Sequence, residues 1–187
     1  MVACGDPRQD KGEPKRNFRA SANLSFPQKQ TLAKRSHLVI KVRNEENRAT
    51  IPNVAVTVLG FDTRTKQQDV SDPSRPMFVI NARPAKIGTF PETKEAGPDG
   101  GETAYVSTWT LGPLKAGATK TFRWDVTAVK AGKYKLSYRV SAGLNGRARA
   151  VSTTGGPVKG VMSGRVSDAA PASRIADDGK TVVEGTR

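Results

Sequence analysis

Apolar and polar residues alternate with a period of two along most of this chain, the spacing of strands with one buried face. In 18–26, Phe18, Ala20, Ala22, Leu24 and Phe26 share one side, and Pro27 ends the strand or marks an edge. In 37–44, Leu38, Ile40 and Val42 oppose Lys41 and Arg43, and after the polar run "NEENRAT" Val54, Val56 and Val58 resume the alternation. The clearest stretch is 103–151. Phe122, Trp124, Val126 and Ala128 alternate with Thr121, Arg123, Asp125 and Thr127, and Tyr134, Leu136, Tyr138, Val140 and Ala142 alternate with Lys135, Ser137, Arg139 and Ser141. Strands are also predicted at 103–111 and 147–151, with a short one at 77–81 and a glycine-weakened one at 160–167. Many short strands separated by Gly/Pro turns predict an all-β sandwich or barrel.

Three regions break the pattern. Residues 1–16 are charged, carry Pro7 and Pro14, lack apolar periodicity and read as a flexible tether. The segment 60–103 is a long Pro-rich insertion within a domain spanning 17–151. Residues 152–187 form a Gly/Ser-rich extension, where Asp178-Gly179 predicts a type I′ hairpin. A hairpin is not stable alone, so this one must pack on the sandwich or stay disordered.

Charge adds a binding expectation. The 187 residues hold 31 Lys and Arg against 17 Asp and Glu, a net +14 that attracts polyanions. No acid lies between Asp125 and Asp168. Lys135 and Arg139 face outward on one predicted strand, and Arg147 and Arg149 on the next. If those strands are neighbours, the four form a basic patch. It reads either as a polyanion site or as a solvated face that discourages edge pairing. Nucleic-acid binding would want aromatics on the same face. Tyr134 and Tyr138 fall on the apolar side instead, so no nucleic acid is expected.

The residues for catalysis or metal binding are scarce. One cysteine, Cys4, cannot pair within the chain, and with the sole histidine, His37, it cannot complete a zinc site. His37 is expected at the surface, no nucleophile elbow is visible, and the acids cluster in loops and tails. Neither an enzyme nor a cofactor is expected.

Two resemblances sharpen the picture. Met1-Val2-Ala3-Cys4, followed by the polar run "GDPRQDKGEPKRN", resembles the end of a bacterial lipobox and its tether. That resemblance implies a truncated lipobox, with Met1 inside the signal peptide. It further implies lipid on Cys4 and a place on the extracytoplasmic face of a bacterial cell membrane. Residues 20–151 resemble the bacterial cell-surface Ig-like domains of the CARDB and conserved-repeat type. The shared residues are Asn44 at a strand end, Asn53 to Val58, then Trp109, Leu111, Gly112, Leu114 and Gly117, and the patterns "F-x-W-x-V" and "G-x-Y-x-L-x-Y-x-V". This implies an immunoglobulin-like antiparallel β-sandwich and a non-enzymatic, lipid-anchored binding, adhesion or scaffold module. Its expected partners are the membrane, an anionic cell-wall polymer or another surface protein. The alternatives are a carbohydrate-binding accessory module, which predicts a row of exposed aromatics, and a cytosolic polyanion binder.

Overall fold

The computed structural model describes residues 12–61, 76–83, 101–102, 107–168 and 173–184. Cys4, the first eleven residues of the expected tether and most of the 60–103 insertion lie outside them. The strands are β1 (Arg16–Ser25), β2 (Lys29–Thr31), β3 (Arg35–Asn44), β4 (Ala55–Leu59), β5 (Phe78–Ala82), β6 (Gly101–Glu102), β7 (Thr108–Thr110), β8 (Thr119–Ala128), β9 (Gly132–Ser141), β10 (Ala148–Val151), β11 (Lys159–Ser167), β12 (Ser173–Ile175) and β13 (Val182–Glu184).

Two mostly antiparallel sheets face each other, the expected Ig-like sandwich. One has the order β10-β1-β3-β8-β5 and the other β2-β11-β9-β4-β7-β6. The parallel pairs, β1 with β10 and β11 with β2, lie at sheet edges. The alternating apolar residues point between the sheets. Leu38, Ile40, Val42, Phe122, Trp124, Val126 and Leu136 are fully buried. Trp109 and Trp124 meet edge to face at 5.3 Å, joining the sheets across the core.

Polar residues fix the ends of this core. Asn44 is fully buried at the end of β3. Its Nδ2 donates to the carbonyls of Ala49 and Leu114 at 2.8 Å each, and its Oδ1 accepts the Glu46 N–H at 3.0 Å. Gly117, at φ 68°, makes the tight turn expected there and donates its N–H to the Asn44 carbonyl at 3.0 Å.

The tether does not run to residue 16. Glu13 is buried, and its carboxylate accepts the N–H groups of Asn145 at 2.8 Å and Ala148 at 2.6 Å. Residues 12–16 therefore belong to the fold, because a carboxylate fits over two backbone donors in the turn before β10. The hairpin turn also differs from type I′. Ile175 and Val182 are the last pair, Gly179 N–H donates to Ala176 at 2.9 Å, and Gly179 has φ 66° while Asp178 does not. Asp178 instead caps the turn. Its carboxylate accepts bonds from the Thr181 hydroxyl and from the N–H groups of Thr181 and Lys180, which hold its pKa down at about 2.

Candidate functional site

The glycines of β11 decide the shape of the candidate face. Gly160 lies opposite Tyr138 and Gly164 opposite Tyr134, on the inward side. A Cβ on either would collide with the tyrosine across from it, so both rings lie against bare β11 backbone. The residues that would weaken an isolated strand are what let β11 close onto β9. That closure brings the outward residues of the two strands into register: Lys133 beside Arg165, Lys135 beside Ser163, Ser137 beside Val161, and Arg139 beside Lys159. β2 sets Lys29 next to Arg165, and β4 sets Leu59 next to Ser137 and Thr57 next to Arg139.

Six exposed cations thus share the outer face of the six-stranded sheet: Lys29, Lys133, Lys135, Arg139, Lys159 and Arg165. Rows on adjacent strands lie about 4.8 Å apart, and six residues along a strand separate Lys133 from Arg139, about 20 Å. None of the six forms an ion pair among the described residues. Lys29–Arg165, Arg165–Lys133 and Lys159–Arg139 are like charges side by side, each unfavourable by about 0.2–1 kcal/mol. Val161 and Leu59, 62% and 55% exposed, flank Ser137 in the row between the two basic ends.

The opposite outer face is also cationic, but there several arginines are paired with carboxylates, while Arg35, Lys41 and Arg149 have no carboxylate partner among the described residues. Arg16 reaches Glu46 at 3.1 Å, Arg19 reaches Glu46 at 3.5 Å, and Arg43 reaches Glu45 at 3.4 Å. The Arg19 N–H bond to Glu46 outweighs burial and, with the charges of Arg19 and Arg16, holds that carboxyl below its usual range.

Of the four patch residues expected from sequence, the structure joins Lys135 and Arg139 only. Arg147 precedes β10 and Arg149 lies within it, beside Asn17 of β1, in the other sheet. The chain crosses between sheets after β9, so these consecutive strands are not neighbours. Lys133, Lys159 and Arg165 lie in the acid-free stretch and could have been found from it. Lys29 comes from a three-residue strand that alternation does not reveal.

His37 lies on the five-stranded sheet, half exposed as expected. Its Nδ1 is 2.6 Å from Asp125 Oδ1, and Arg123 bonds the same carboxylate at 3.0 Å. Burial pushes the Asp125 pKa up, but the Arg123 and His37 hydrogen bonds prevail and lower it. Among the described residues no hydroxyl or thiol is hydrogen-bonded to His37; its partners are Asp125 and Arg123. Nor is any group of three or more His, Cys, Asp or Glu side chains there placed to hold a metal ion.

No protein-family model matches the chain, and no curated protein matches it. Solved structures similar to it include a CARDB domain from Pyrococcus furiosus, determined in complex with di-metal ions. That domain is 12% identical, with 81% of this chain and 96% of that chain covered, at a TM-score of 0.48. A cohesin module of a Clostridium perfringens family 33 glycoside hydrolase is 5% identical, covering 81% and 99%, at 0.46. A PapD-like domain of human CEP192 is 11% identical, covering 91% and 95%, at 0.43.

Proposed function

We propose that this chain is a non-enzymatic binding module that holds an anionic polymer on the outer face of its six-stranded sheet. The observation that carries this reading is the set of six exposed cations gathered on one face, in adjacent like-charged pairs, with no ion pair among the described residues. Strand pairing keeps like charges adjacent, and a polyanion laid across them would relieve that repulsion. Cell-wall polymers offer such repeating charge. Lipid on Cys4 would keep the module at the extracytoplasmic surface of a bacterial membrane, a role suggested by its position after Met1-Val2-Ala3 as the sole cysteine.

Long-chain inorganic polyphosphate is the probe. Binding is expected to weaken steeply from about 50 to about 300 mM NaCl, as counterion release requires. The double variant Lys135→Glu/Arg139→Glu should lose at least about tenfold in affinity, and Arg147→Glu/Arg149→Glu less than about twofold. Equal losses in the two variants would show that only net charge matters and would sink the assignment of this face. Mass spectrometry of the protein from bacterial membranes tests the anchor: an unmodified Cys4 overturns it.

A further inference from the structure

Between Ser25 and His37 the chain leaves the five-stranded sheet, adds β2 to the edge of the other and returns. The bend encloses an open groove of about 990 Å³, at the upper end of the range for small-ligand clefts, about 300–1,000 Å³. Phe26, Pro27 and Val39 give it an apolar floor, and Lys29, Arg35 and Arg165 stand among its walls. Among the described residues no acid lines it, Asp168 following Ser167 without joining the lining. Arg35, Lys29 and Arg165 have no carboxylate partner among the described residues.

The bend is held in shape. Gln30 is buried; its Nε2 donates to the Pro27 carbonyl at 3.1 Å and to the Tyr134 hydroxyl at 3.3 Å, and its Oε1 accepts Ser36 Oγ–H at 2.8 Å. The Tyr134 hydroxyl donates to the same Pro27 carbonyl. At the turn after β2, Ala33 is left-handed at φ 62°, a conformation costing a residue with a Cβ about 1–2 kcal/mol. Backbone strain kept in place by a buried network is characteristic of binding sites.

We infer that this groove binds a small anionic amphiphile: a single acyl chain against Phe26, Pro27 and Val39, with its carboxylate held by Arg35, Lys29 and Arg165. The charge of the walls selects an anion, and the apolar floor selects a ligand with a hydrocarbon body, which a bare polyanion lacks. The inference stands apart from the polymer reading except for Lys29 and Arg165, which serve both surfaces.

The test is calorimetric titration with decanoate at about 150 mM NaCl, where exposed charges alone are well screened. One saturable site is expected. Acetate, which lacks the chain, and octyl glucoside, which lacks the charge, should bind at least about tenfold more weakly, a difference of about 1.4 kcal/mol. Arg35→Glu and Val39→Asp, both at solvent-accessible positions, should each weaken decanoate binding at least about tenfold. Lys135→Glu/Arg139→Glu should leave it within about twofold, so that the face and the groove fail separately. Near-ultraviolet circular dichroism confirms that each variant is folded. Absence of saturable decanoate binding, unchanged binding in both groove variants, or equally tight octyl glucoside would overturn the inference.

Discussion

Asn44→Ala removes a side chain that closes one end of the core. Three hydrogen bonds are lost: two donated by Nδ2 and one accepted by Oδ1. At about 1 kcal/mol net for each, the sum is about 3 kcal/mol. The Leu114 carbonyl keeps a second partner, the Ile51 N–H at 2.9 Å, which reduces the loss. The gap left by a fully buried side chain raises it. The expected destabilisation is therefore about 2–4 kcal/mol, a large part of the 5–15 kcal/mol typical of a domain. Urea unfolding should show a midpoint lower by about 1–2 M with an unchanged slope. Asn44→Asp should be worse at pH 7, because a carboxylate would face two carbonyl oxygens. That arrangement raises the folded pKa, so the missing stability returns as pH falls through it. A loss below about 1 kcal/mol for Asn44→Ala, or an Asp variant insensitive to pH, would refute this account of the motif.

Gly164→Ala should destabilise by about 1–3 kcal/mol, since its Cβ meets the Tyr134 hydroxyl and the Gln28 carbonyl, whereas Gly156→Ala, with open space around it, should be near neutral in the same unfolding assay. Ala33→Gly should stabilise by about 0.5–1 kcal/mol by removing left-handed strain, seen as a higher thermal midpoint. Glu46→Gln should be less stable than the parent at pH 7. The lowered pKa of Glu46 makes its contribution present above the usual value of 4.5 and lost as pH falls through the folded value, so the gap closes in acid.

Period-two alternation located the long strands because each has one face in the core: β3, β8 and β9 sit where Leu38, Trp124 and Leu136 predict them. It could not assign strands to sheets. Arg139 and Arg149 lie on consecutive strands, and only the structure shows that the intervening chain crosses the sandwich. β2 was illegible for a different reason, since three residues are too few to display a period. The glycines of β11 read as weakness in one dimension and prove to be tyrosine seats in three. Glu13 looked like solvated charge because the two amides that bind it lie more than 130 residues further along the chain.

Glu13 also sets a direction. Its carboxylate latches the chain just before β1 to the turn ahead of β10, while the groove opens beyond the other end of β1. Ten extended residues separate the two, about 30 Å. Anything pulling on the chain upstream of Gly12 acts at the end of the molecule away from the groove and loads β1 in shear against β3 and β10 together. A sandwich suspended in this way would hang with its groove pointing away from the point of suspension.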